Sequence, residues 1–217
     1  MELLECMQQR HSVRQYTDRP IEPEKRAVLD ELVRALNEKA SVHMQLIYDE
    51  PKCFDSFMAH YGKFSGVRNY IALVGKASPK LDETLGYCGE QVVLKAQELG
   101  LNTCWVAMSH GKSKAVIGKG EKLVCLISLG YGAVQGVAHK NKPAQAVSRC
   151  DAPMPDWFAR GLDAALLAPT AMNQQKFCFE LLPGETVKAT CGSGFYTKLD
   201  LGIVRYHFEA VTGKKTL

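Results

Sequence analysis

The chain pairs a helix-period segment with a strand-like segment twice, and this repetition narrows the folds open to it. Between residues 24 and 36, Val28, Leu29, Leu32, Val33 and Leu36 hold an apolar face at helical spacing, and a strand follows at 44–48. Between 157 and 168, Phe158, Leu162, Leu166 and Leu167 do the same, and a strand follows at 177–182. Pro23 suits the first turn of the first helix, with Glu22 and Glu24 at the positive end of its dipole. Asp156 can cap the second helix, and Pro169 disfavours its continuation. Farther along each half, Leu85-Gly86 opens a helical segment ending near Gly100, and Leu201-Gly202 opens one ending near Gly213. Such units also recur by chance in mixed folds. Read as a duplication, they predict repeats at 10–134 and 150–217 within a single domain of 1–217, related by pseudo-twofold symmetry.

Other segments fill in the plan. Residues 1–9 read as a short helix carrying Leu3, Leu4 and Met7, and 10–16 as a loop or short extended piece. A strand is expected at 70–74 and a buried strand at 123–129, the latter ending in Gly130-Tyr131-Gly132. The long helix at 81–99 turns Leu85, Val92, Val93, Ala96 and Leu99 inward, with Gly100 as its C′ residue. Residues 135–156, with Pro143, Pro153 and Pro155, form a long polar connection. Cys191-Gly192-Ser193-Gly194 lacks the lysine of a phosphate-binding loop and the spacing of a dinucleotide fold. It reads as a tight turn before a final helix at 199–211.

Composition sets outer limits. A chain of 217 residues with 46% hydrophobic and 23% charged residues packs a core rather than staying disordered. No apolar run reaches membrane-spanning length, and residues 1–10 lack the apolar stretch of a secretory signal. A formal net charge of +4 is no nucleic-acid footprint. The eight cysteines include no C-x-x-C pair, and Cys88, Cys104, Cys125 and Cys178 sit in apolar stretches. Reduced cysteines in a cytoplasmic setting are therefore expected, with no structural zinc site. His60, His110, His139 and His207 have no metal-ligand spacing.

Two short strings carry the chemistry. Arg10-His11-Ser12-Val13-Arg14 places two guanidinium forks and a hydroxyl within five residues, which suits a phosphate. Alone, it reads as a basic exposed segment. Pro169-Thr170-Ala171-Met172-Asn173-Gln174-Gln175 ends a helix and then offers hydroxyl and amide groups, which suits the hydrogen-bonding edge of a flat heterocycle. Alone, it reads as a helix stop and polar turn, with Asn173 and Gln175 bridging backbone groups.

Together, and with the strings between them, they resemble the nitroreductase family. The opening pattern of that family stands here as Arg10, Ser12, Arg14, Tyr16, Pro20 and Ile21. The run from Gly66 to Val74 looks like its first central strand, Glu98 to Trp105 like its Gly-Leu-Gly-Thr-x-Trp segment, and Leu129 to Gly132 like its Gly-Tyr-Pro turn. The resemblance implies an α/β protein, α+β in stricter usage, with a central, mostly antiparallel sheet flanked by helices. It implies FMN held between two structural halves, with Arg10, His11 and Ser12 along the phosphate and ribityl chain. Arg14 would lie at the N1–O2 edge, where a cation raises the flavin potential. Lys140 or Lys142 would assist at the phosphate. Pro169, Thr170, Ala171, Asn173 and Gln175 would form the second flavin-binding string.

Two departures from the family pattern matter. The Pro-Ser-x-x-Asn-x-Gln string usually follows the first helix, where residues 37–43 do not match it; here it follows the helix at 157–168. The chain thus resembles a single-chain branch whose two repeats imitate the usual homodimer, with one FMN per chain, as a monomer or as a dimer of pseudo-dimers. Second, Val106-Ala107-Met108-Ser109 replaces the glycine pair after the tryptophan, leaving the backbone N–H groups of Ala107 and Met108 as candidates to face flavin N5. The implied activity is reduction of a small electron-poor acceptor, such as a nitroaromatic or quinone, by NADH or NADPH in a ping-pong cycle. No catalytic side chain is assigned, because the cofactor carries the chemistry. Flavin storage or sensing without turnover, a cofactor-free interaction module, and flavin-linked dehalogenation or dehydrogenation are the alternatives.

Overall fold

A computed structural model describes every residue of the chain except Ala152, which lies within the connection expected at 135–156. In chain order the elements are α1 (Leu3–Gln9), α2 (Pro23–Ala40), β1 (Gln45–Ile47), α3 (Phe57–Tyr61), β2 (Asn69–Lys76), α4 (Leu81–Glu98), β3 (Asn102–Val106) and β4 (Glu121–Gly130). They continue with β5 (Ser148–Arg149), α5 (Asp156–Leu166), β6 (Phe177–Leu182), β7 (Thr186–Cys191) and α6 (Thr197–Thr212). The expected α+β arrangement, with an antiparallel sheet and helices, is what the chain adopts. It divides into two compact units. The first comprises Met1, Gln9–Leu81 and Val92–Ala138; the second comprises Glu2–Gln8, Asp82–Gln91 and His139–Leu217.

The first unit is built on a four-stranded sheet ordered β1-β2-β4-β3, with every neighbouring pair antiparallel. Seven of the eight residues of β2 are buried, as its unbroken apolar run demands of a central strand. Phe54 packs edge-on against Phe64, with ring centroids 5.3 Å apart, and at a tilt against Tyr70 of β2, at 5.7 Å. The end of α4 is fixed as its sequence requires. Gly100, at φ +75°, donates its N–H to Gln97 O, and Leu101 donates to Ala96 O, the paired bonds of a glycine-terminated helix.

The second unit has a three-stranded sheet, β5-β6-β7, in which β5 and β6 run parallel and β6 and β7 antiparallel. Its core is aromatic. Phe179 of β6 stacks on Phe208 of α6 at 4.5 Å, and Phe158 of α5 meets Phe208 edge-on at 5.7 Å. In this unit α4 and α6 cross at glycines. A Cβ on Gly202 would lie 1.9 Å from Glu83 O and 2.7 Å from Tyr87 N, and a Cβ on Gly86 would lie 2.1 Å from Leu199 O and 3.2 Å from Ile203 N. The contacts are reciprocal: one offset of 116 positions carries Gly86 to Gly202, Glu83 to Leu199 and Tyr87 to Ile203. Two helices meeting in this self-complementary way have local two-fold symmetry.

Several details differ from the sequence reading. In α1, Cys6 and Met7 are buried while Leu3 and Leu4 are 37% and 43% exposed, so the inward face is narrower than expected. Asp156 is the first residue of α5, not its cap; Pro155 takes the cap position, and the carboxylate favours the first turn through the helix dipole. The helix α2 runs on to Ala40 and ends at Ser41 in the left-handed region, at φ 52°. There Asn37 bonds the Met44 backbone both ways, at 2.8 Å each, and fixes the entry to β1. The eight cysteines are free thiols, with Cys88, Cys104 and Cys125 buried as expected and Cys178 half-buried. Among the described residues no helix is long and apolar enough to cross a membrane.

Candidate functional site

In the first unit the N-terminal string runs along β3. Ser12 bridges Thr103, and Val13 N–H donates to Thr103 O at 3.0 Å. This extended run alternates its side chains: Val13 is buried in the core while Arg14 is exposed. Arg10 is 3% exposed, so its guanidinium is held inside the unit. The Cys104 thiol of β3 feels the charges of Arg14 and Arg10 and hydrogen-bonds the Ser12 side chain. Burial pushes that thiol up, and these three groups oppose the shift. The string thus lies alongside β3, with Arg10 on the buried side and Arg14 on the exposed side. His11 lies beside Gly136, whose Cβ would come within 2.6 Å of the His11 Cβ.

Arg14 is the cation this arrangement leaves for a ligand. Its guanidinium stands 5.9 Å from the Phe64 ring centroid and makes no ion pair or hydrogen bond to the described residues. A cavity of about 240 Å³ opens here, lined by Ser12, Arg14, Gln15, Lys63, Gln135 and Gly136 among others. No carboxylate lines it. A donor set of guanidinium, ammonium, hydroxyl and amides, with no carboxylate among it, fits the electron-rich oxygens of a ligand such as FMN. Ala107 and Met108 follow β3 in a bend, with Met108 60% exposed.

The second string occupies a turn in the second unit and forms one network with the lysines expected near it. Gln175 is buried. Its Nε2 donates to Lys140 O at 2.8 Å and to Asn173 Oδ1 at 2.7 Å, and its Oε1 accepts from Lys142 N at 2.8 Å. Asn173 Nδ2 also donates to Lys140 O, at 2.8 Å. The Lys142 ammonium donates to Gln174 O and Gln175 O, and Thr170 Oγ1 accepts from Gln175 N. The amides of Asn173 and Gln175 thus bridge backbone groups of the chain. Met172, Asn173 and Gln175 all have positive φ, at 52°, 52° and 44°. Each such non-glycine residue costs on the order of 1 kcal/mol, so the bonds around it must hold the turn.

Asp200, from the first turn of α6, is the residue that sequence reasoning missed. It is 5% exposed, and its carboxylate accepts from Ala171 N at 3.0 Å and from Gln174 Nε2 at 2.7 Å. Burial outweighs these two bonds and pushes its pKa up to about 6. The folded value lies above the unfolded one, so the contribution favouring the fold is complete below about pH 4 and is lost as pH rises through 6. We predict that wild type loses ~3 kcal/mol of unfolding free energy relative to Asp200→Asn between pH 4 and pH 7.5, by denaturant titration. Equal pH profiles in the two proteins would refute this.

The fold and the site define a class: an α+β protein in which an arginine-serine-arginine run, with Arg10 buried and Arg14 exposed, lies along one strand of an antiparallel sheet. The comparisons make the class definite. The sequence profile of the family described as "Putative TM nitroreductase" matches residues 2–212, and the chain belongs to the nitroreductase family, whose members are oxidoreductases. Among solved structures, a "putative nitroreductase" from Thermotoga maritima is similar at a TM-score of 0.71 and 21% identity, over 97% of this chain and 83% of that one. A nitroreductase-family structure from Desulfovibrio desulfuricans, in complex with FMN, is similar at 0.52 and 19%, over 71% of this chain and 99% of that one. A structure from Bacteroides thetaiotaomicron described as NADH dehydrogenase/NAD(P)H nitroreductase is similar at 0.52 and 20%, over 67% and 95%. At these identities the similarity speaks for the fold. Among curated proteins, none matches the chain.

Proposed function

We propose that the chain is an FMN-dependent oxidoreductase that takes reducing equivalents from NADH or NADPH and passes them to a small electron-poor acceptor, such as a nitroaromatic or a quinone. The observation that carries this reading is the Arg14 guanidinium, without an ion pair among the described residues, beside Ser12 at a cavity lined by donors. The family match over residues 2–212 and the FMN complex of the Desulfovibrio relative support it. When bound, FMN would supply hydride acceptance and donation.

The roles of the chain are binding and orientation. In the first unit, Arg10, His11 and Ser12 would hold the phosphate and ribityl chain, and Arg14 would hold the pyrimidine edge. Backbone N–H groups of Ala107 and Met108 would face N5. In the second unit, Pro169, Thr170, Ala171, Asn173 and Gln175, with Lys140 or Lys142, are assigned separately as flavin-contacting residues. Because Asn173 and Gln175 bond the chain itself, their part would be to shape the turn, leaving the Thr170 hydroxyl and the turn backbone as direct contacts. The reciprocal α4–α6 contacts support reading the chain as internally duplicated, with repeats at 10–134 and 150–217.

Apoprotein loaded with FMN and desalted tests the reading by its visible spectrum. Retained colour that bleaches anaerobically with NADH or NADPH supports it. Colour that persists with either nucleotide favours storage or sensing, and no colour rejects the flavin assignment. Arg14→Ala should raise the FMN dissociation constant at least tenfold, since one charge-assisted bond contributes roughly 1.5–3 kcal/mol, or else lower the flavin potential. Arg14 is exposed, so its removal leaves the fold intact. Unchanged affinity and potential in this variant would remove Arg14 from the site.

A further inference from the structure

We propose that Asp200 is the positioning residue of the turn 170–175, fixing the backbone that this segment presents to its ligand and making ligand affinity depend on the protonation of one buried carboxyl. The proposal rests on the reading of the turn as a flavin-contacting segment. Its basis is geometric. Three residues of the turn have positive φ without being glycine, and such a backbone persists only where its surroundings over-determine it. One face of the turn is held from the 140–142 segment, by Lys140 O, Lys142 N and the Lys142 ammonium. Another is held from α6 by Asp200 alone, which grips the Ala171 backbone with one carboxylate oxygen and the Gln174 side chain with the other.

The second grip differs in kind from the first. The Lys140 and Lys142 contacts use groups that keep their bonding through the neutral range. Asp200 is a buried carboxylate with two neutral partners and no cation paired to it among the described residues. The charged groups on the packed segments point elsewhere: the Lys142 ammonium to two turn carbonyls and the Lys176 ammonium to Ser193 O. The Gln174 amide is itself shared between Asp200 and Phe195 O. Protonation of Asp200 turns one acceptor into a donor. The protonated oxygen is a much weaker acceptor and must also place its own hydrogen between two donors, so one of the two grips loosens. Met172, 83% exposed between them, moves with the turn.

The experiment compares wild type, Asp200→Asn and Gln174→Ala from pH 5 to pH 8, with two readouts. FMN binding to apoprotein is followed by quenching of flavin fluorescence. The turn is followed without flavin by the methyl resonance of Met172, assigned with Met172→Leu. In wild type the resonance should titrate with a midpoint near 6, and FMN affinity should change severalfold over the same range. Asp200→Asn should abolish the titration and weaken FMN about tenfold at pH 7.5, while circular dichroism reports the same fold; Gln174→Ala should fall between the two. A wild-type FMN affinity and pH profile in Asp200→Asn would overturn the proposal, as would a Met172 resonance that does not titrate in wild type. A Met172 resonance that titrates in a protein binding no FMN would uphold the hold of Asp200 on the turn and overturn the flavin reading instead.

Discussion

Gly202→Ala is expected to destabilise the protein by about 3 kcal/mol or more, although alanine is the better helix former by about 1 kcal/mol. The sign is decided by the crossing of α4 and α6. The added methyl would sit 1.9 Å from Glu83 O and 2.7 Å from Tyr87 N, and both are backbone atoms that no side-chain rotation can move. The helices must therefore part, and every contact along the crossing loosens at once. For a chain of this size the melting temperature should drop by roughly 10 °C. Gly213→Ala, just past the end of the same helix, is the control. Its φ of +69° strains an alanine, but nothing lies within 4 Å, so about 1 kcal/mol is expected. Gly86→Ala should resemble Gly202→Ala, because its methyl would lie 2.1 Å from Leu199 O. The double variant should cost clearly less than the sum of the two, since one separation of the helices relieves both clashes. Denaturant titration of the four proteins measures this, and a neutral or stabilising Gly202→Ala would show that the helices do not approach so closely.

Those two glycines show what a sequence does and does not reveal. Leu85-Gly86 and Leu201-Gly202 are visible as matching pairs, and the helices they lie in follow from apolar spacing. That each glycine opposes the helix of the other is a three-dimensional fact with no periodic signal. The central strands β2 and β4 were legible because an unbroken apolar run of that length has few other homes. In contrast, β7 escaped notice. Its Thr-Val-Lys-Ala-Thr-Cys run turns only Val187 and Ala189 inward, too weak an alternation to stand alone. The signal that could have found it is Pro183-Gly184, a turn pair directly after β6, where Gly184 takes φ +72°. The short α3 was equally silent, being five residues with an exposed Phe57 and Tyr61.

The candidate site divides the same way. Arg10, Ser12 and Arg14 lie within five residues, so the string could be read directly, but that Arg10 is buried and Arg14 exposed could not. The polar residues of 169–175 were also legible as a group. What each of them bonds was not, because Lys140, Lys142 and Asp200 reach them from segments 26 to 35 residues away. A sequence shows which side chains can bond; the fold decides whether they bond a ligand or one another.

The histidine dismissed as a metal ligand for want of spacing gives the second large effect. His207→Leu is expected to cost about 3–5 kcal/mol, the usual toll of breaking a buried ion pair from one side. His207 of α6 and Glu90 of α4 are both fully buried in the second unit, with Nε2 and Oε1 2.9 Å apart. The other ring nitrogen, Nδ1, is 3.0 Å from Ala164 O of α5. A carbonyl only accepts, so Nδ1 carries a hydrogen, and one further proton is shared between Nε2 and the carboxyl. A leucine fills the space but replaces neither donor: the Glu90 carboxylate loses the bond from Nε2 in a dry interior, and Ala164 O keeps only its bond from Leu167 N–H, at 3.1 Å. Glu90→Gln should cost under about 1.5 kcal/mol, because the amide can donate to Nε2 while Nδ1 keeps its bond to Ala164 O. The pair of leucines, Glu90→Leu with His207→Leu, should recover much of the loss, because no carboxylate is then left facing an apolar side chain. A double-mutant cycle by denaturant titration therefore reads a coupling of about 2–3 kcal/mol. If His207→Leu cost less than 1 kcal/mol, or the double variant simply summed the singles, the pair would be a passive occupant of the core rather than the contact that joins three helices of the second unit at one point.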